Sequence, residues 1–276
     1  MDTFQLWSYD VSGGLRYYAE HTYIKCPDKG TYFDCWGNHQ SPTEGAGIHR
    51  FSCEGIYDVA DCYRKSILGI NDTAGIGVYG VNGVCHQTAN LFLYSSGRAI
   101  TIADGVKGYW LSSLAYGIYG DLNPFDDPAQ PLFLSVWTMT VYNPCYRKFV
   151  DSGSNAGETL FQDLQQLHKS IVKDFRIASH ELIHNEAAIL VKQVMPDIDT
   201  NQFKGIHLNF LKEKTEIIKS GLKGKELANR VNEIAVQFQK SLAERIGDKA
   251  YEKLMSLKAG ETIDLIDPDI ASRCAS

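Results

Sequence analysis

The stretch Asn82-Gly83-Val84-Cys85-His86-Gln87-Thr88-Ala89-Asn90 decides how this chain is read. It follows a glycine-rich approach, Gly75-Ile76-Gly77-Val78-Tyr79-Gly80. It opens a short helix predicted over 85–96 that stops at Gly97, because glycine takes the left-handed conformation that ends a helix. A thiol is a poor nucleophile until it ionises, and the amides of a first helical turn stabilise the thiolate. Those same amides can hold the oxyanion of a tetrahedral intermediate. Glycines just upstream let a substrate come close to the backbone. Together these features describe a nucleophile at Cys85, with Asn82, Gly83 and His86 placed to meet the substrate.

A cysteine nucleophile needs a base, normally a histidine oriented by a third polar group. His86 is next in sequence, but neighbouring side chains on a helix point about 100° apart, which makes it a poor partner. His21, His39 and His49 are the better candidates. Residues 17–25 read as a strand, Pro27-Asp28-Lys29-Gly30 as a turn and 31–36 as the returning strand, since Pro and Gly supply the angles of such a turn. That hairpin puts His21 on one strand and Asp34 on the next, where a carboxylate can fix the tautomer of an imidazole. Trp36, at the end of the returning strand, is a candidate substrate contact.

Histidine on a strand, a polar residue on the following strand, and then a cysteine opening a helix resembles the circularly permuted NlpC-type fold, whose best-known branch is the lecithin retinol acyltransferase family. The residues that carry the resemblance are His21-Thr22-Tyr23-Ile24-Lys25, Asp34, and Cys85-His86-Gln87-Thr88-Ala89-Asn90 with Tyr94 and Gly97. They span about residues 10–120. Val84 stands where that family places Asn, and Asp34 where it often places His. The resemblance implies an α+β papain-like domain with a small antiparallel sheet. It also implies a cysteine hydrolase, a thiol protease or an acyltransferase, working on an amide, ester or thioester with no cofactor. Cys85 would carry the acyl group, and His21 would take the thiol proton and later activate water or an amine.

Beyond that core, composition changes near residue 150. All four tryptophans and six of the seven cysteines lie before it, while Lys, Glu, Gln, Leu and Ile dominate after it. The first composition suits strands and tight turns, the second helices. The expected division is a catalytic domain at 1–150 and an all-helical domain or extension at 151–276, joined by Ser152-Gly153-Ser154-Asn155-Ala156-Gly157. In the first half, 56–68 reads as helix or loop, and 99–103 and 132–142 as strands. In the second, helices are predicted over 158–194, ending before Pro196, over 202–220 and 226–246, and over a short piece ending near Leu257. Leu227, Val231, Ile234, Phe238, Leu242 and Ile246 recur every three or four residues and form one apolar face.

The net charge of −6 offers no basic surface for nucleic acid. No apolar run approaches the roughly 18 residues of a membrane span. Met1-Asp2-Thr3-Phe4 has neither the basic nor the apolar part of a leader. Seven cysteines, an odd number, fit reduced thiols in a cytoplasm. The expected partner is a small-molecule or peptide substrate. A protein partner could also dock on the C-terminal helices. Two rival readings stand beside the thiol enzyme. Ser179-His180-Glu181-Leu182-Ile183-His184 resembles the zincin metallopeptidase signature, since His180 and His184 share a helix face and Glu181 could polarise a water. The other rival is a non-catalytic binding protein. Gly75-Ile76-Gly77-Val78-Tyr79-Gly80 also matches a dinucleotide-binding pattern, but no βαβ unit surrounds it.

Overall fold

The computed structural model describes residues 1–10, 19–35, 47–68, 79–120 and 179–274. Trp36, His39, most of the glycine approach, the 132–142 strand, the 152–157 linker and the first part of the 158–194 helix lie outside these residues. So does the point where composition changes.

The chain folds as α+β, and among the described residues there is one small antiparallel sheet and a helical majority. Strand β1 (Asp2–Asp10) alternates strictly, burying Phe4, Leu6 and Ser8 on one face. β2 (Glu20–Cys26) pairs with it so that Leu6 meets Ile24 and Tyr9 meets His21. β3 (Thr31–Phe33) and β4 (Ile48–Gly55) flank them, giving the order β3-β2-β1-β4. β2 is buried along almost its whole length, as an inner strand covered on both faces should be. The β2–β3 connection is a single 3-10 turn, Pro27–Lys29, closed by Gly30 at φ 61°.

Helix α1 (Tyr57–Leu68) follows β4, and α2 (Cys85–Leu93) lies across the inner face of the sheet, where Phe92 sits 5.2 Å from Phe33, ring to ring. A 3-10 turn, Tyr94–Ser96, extends α2 and ends at Gly97, φ 69°. The strand expected over 99–103 is not formed: a 3-10 turn, Ile102–Asp104, occupies its second half. The reason is local. Asp104 accepts from both the amide and the hydroxyl of Thr101, at 2.8 and 2.9 Å, and this side-chain cap outcompetes strand pairing. Helix α3 (Tyr109–Tyr116) is buried on all sides.

The remaining described helices are α4 (Ser179–Val194), α5 (Asn201–Lys219), α6 (Gly224–Ile246), α7 (Asp248–Met255) and α8 (Pro268–Cys274). On α6 the buried stripe is Leu227, Ala228, Val231, Ala235, Phe238 and Leu242. Ile234 and Ile246 lie at its margin, because the two alanines rotate the seam toward them. One continuous apolar cluster runs from Phe4 in the sheet through Trp110 and Leu114 of α3 to Ile183, Phe210, Phe238 and Ala271. Helix α3 is the bridge: the carbonyls of Leu114 and Ala115 accept from His207 and Lys214 of α5. Among the described residues no helix is long and apolar enough to cross a membrane.

Candidate functional site

Val84 is fully extended, φ −124°, ψ −168°, so the chain turns sharply into α2 at Cys85. The turn is held by Gln87, whose side-chain oxygen accepts from the Val84 amide at 3.2 Å while its Nε2 donates to the Gly117 carbonyl at 3.0 Å. Gly83 permits this. A Cβ there would stand 2.9 Å from the Gln87 Cβ, closer than side chains tolerate.

The start of α2 meets β2 where β3 has ended. The Cys85 thiol points at the Glu20 carbonyl, 3.9 Å away. That carbonyl also accepts from His86 Nε2 at 3.0 Å. A carbonyl can only accept, so His86 carries a proton on Nε2, and its Nδ1 lies 2.8 Å from the Ser112 hydroxyl. Burial lowers the His86 pKa to about 4, partly opposed by the Glu20 carbonyl. The Glu20 side chain is fixed in turn by Arg50 at 2.5 Å and by the Lys107 amide at 3.2 Å.

Cys85, His21 and His86 line one pocket, together with Glu20, Tyr79, Gly108 and residues of the 264–270 segment. The His21 ring is buried and lies 5.1 Å from the Tyr9 ring. Burial, and then the neighbouring His86, lower its pKa to about 3, so it is neutral at pH 7. Burial pushes the Cys85 thiol up to about 11. The Thr22 amide and hydroxyl and the His86 amide oppose this, and the Asp267 carboxylate adds to it. The resting pair is therefore a neutral thiol and a neutral imidazole.

Asp34 is buried just past β3 and does not line the pocket. It does act on the same neighbourhood. The Tyr9 phenol is kept protonated by burial first, then by Cys85, Cys35 and Asp34. Tyr9 therefore stands against His21 and within electrostatic range of both Cys85 and Asp34. Asn82 and Gly83 shape the approach to α2 without lining the pocket. His49 is exposed on β4, bonded to Ser52 and stacked near Trp7 at 5.3 Å.

Sequence reading missed Tyr9, Tyr79 and Ile270. Tyr9 lies on β1, an element it did not anticipate. Ile270 lies on α8, 185 positions beyond Cys85, with no local pattern to join them. Ile270, Cys85 and Cys35 form a small apolar cluster of their own, with Tyr79 against it.

The HExxH residues are placed differently. His180 and His184 do share a face of α4, and both turn to α5. His180 Nε2 meets Thr215 Oγ1 at 3.0 Å, and that hydroxyl donates to the Leu211 carbonyl. His184 Nδ1 meets His207 Nδ1 at 3.0 Å, and His207 Nε2 donates to the Leu114 carbonyl at 2.6 Å. Glu181 points outward, 3.6 Å from Lys204. Among the described residues no group of three or more His, Cys, Asp or Glu is arranged to hold a metal ion.

No family model, curated protein or solved structure matches this chain.

Proposed function

We propose that the protein is a cysteine-dependent acyl hydrolase or acyltransferase of papain-like type, with Cys85 as nucleophile and His21 as general base. The observation that carries this reading is the shared pocket: a thiol at the first position of a helix and two neutral imidazoles line one cavity. The alkaline thiol leaves no preformed thiolate, so its proton has to leave as sulfur attacks. As sulfur bonds to the acyl carbon, the thiol proton passes to His21. Negative charge collects on the acyl oxygen, and the amides of the first turn, that of His86 among them, are the donors for it. His21 then protonates the leaving amine, alcohol or thiol. The acyl group left on Cys85 goes to water or to an acceptor amine, with His21 again taking the proton. Tyr9 holds the His21 ring, and Asp34 contributes negative charge to the same neighbourhood.

His86 is assigned a positioning role. Both its ring nitrogens are engaged, and its Nε2 proton anchors the carbonyl at which the thiol points.

The reading is tested with a panel of activated esters, thioesters and amides. Turnover of one class should fall at least a hundredfold in Cys85→Ala and about as far in His21→Ala, with His49→Ala unchanged. Full turnover by Cys85→Ala would overturn it.

A further inference from the structure

We infer that helix α8 is a gate over Cys85, and that Ile270 is the group an incoming substrate must displace. An acyl carbon has to come within about 3–3.5 Å of the sulfur in line for attack. Ile270 packs into the small cluster that holds Cys85 and Cys35, and it lines the pocket beside the thiol. Cys85 is 6% exposed in this arrangement, so closed α8 and bound substrate exclude one another.

The two parts of the C-terminal segment are held in different ways. Residues 263–266 are clamped to α6 by two buried amides. Asn232 accepts from the Leu265 and Ile266 amides, each at 2.9 Å, and donates to the Ile266 carbonyl at 2.8 Å. Gln239 exchanges a matching pair with Ile263, at 2.7 and 3.0 Å. The Asp267 carboxylate caps its own helix through the amides of Asp269 and Ile270. Its amide reaches the Tyr79 hydroxyl at 3.4 Å, a long bond. α8 packs along α6, with Ile270 and Ala271 buried. Asp267-Pro268 joins this pinned strap to a seven-residue helix whose Ile270 and Tyr79 contacts close over the thiol, and the gate turns at that junction.

The gate rests on Cys85 being the reactive group, but its test reads closure alone. The full chain is treated with iodoacetamide under native conditions, and the labelling rates of Cys85 and Cys26 are followed by peptide mass. Cys26 is fully buried under the sheet and reports general loosening. Ile270→Ala should raise the Cys85 rate at least tenfold and Tyr79→Phe severalfold, with Cys26 unchanged and Ile270→Leu close to the parent. The gate is overturned if Cys85 moves no more than Cys26 in both variants. Opening without any acyl turnover would instead remove the catalytic reading and leave the gate standing.

Discussion

At the scale of single residues, the chemistry turns on where protons rest. The place of Cys85 at a helix start was legible because a glycine approach and a helix start are local signals. The place of His21 on a hairpin strand was legible because a Pro-Gly turn announces the hairpin. The state of the pair was not legible, since burial decides it and burial depends on residues far away in sequence. A thiol at about 11 has little thiolate at neutral pH. Its alkylation rate should therefore climb about tenfold per pH unit from 7 to 10, where an ordinary thiol levels off near 9. A rate already flat from pH 6 would mean a preformed ion pair and would contradict the general-base mechanism. His86 shows the opposite lesson. Helix geometry disfavoured it as a partner for its neighbour, and its ring is engaged by Ser112 and Glu20.

At the scale of elements, strong local periodicity carried over well. The helices expected over 202–220 and 226–246 form as Asn201–Lys219 and Gly224–Ile246. The β2–β3 hairpin forms about its Pro27–Lys29 turn. β1 and β4 were not anticipated, although β1 alternates Phe4, Leu6 and Ser8 inward. Its outer face carries Trp7 and Tyr9, so the apolar–polar contrast that marks a half-buried strand is blurred. The strand expected over 99–103 gave way to Thr101 and Asp104, whose side chains bond the backbone before a neighbouring strand can. Helix α8 is seven residues long and too short for periodicity to reveal. Its position is set by packing along α6 and by the preceding strap that Asn232 and Gln239 hold.

At the scale of the whole molecule, His21, His86 and His207 are among the described histidines sealed into the core as neutral rings. His21 titrates at about 3, His86 at about 4 and His207 at about 3, each lowered chiefly by burial. In the unfolded chain they titrate near 6.5. Between pH 6.5 and 4 the unfolded chain therefore binds protons that the fold does not, and acid favours unfolding. Each group contributes a slope of about 1.4 kcal/mol per pH unit, so three give up to about 4. Urea midpoints taken from pH 7 to 4.5 should fall steeply, and His207→Gln should remove about a third of the slope. A pH-independent midpoint would contradict the burial of these rings. The same enclosure hides the Cys85 thiol among the sheet, α2 and α8. The central claim, that Cys85 accepts an acyl group with help from His21, is tested most directly by intact and peptide mass after brief exposure to an activated thioester. The account predicts one acyl adduct, on Cys85, sensitive to hydroxylamine, absent from Cys85→Ala and formed at least a hundredfold more slowly in His21→Ala. An adduct spread over several cysteines, or one forming equally fast without His21, would contradict it.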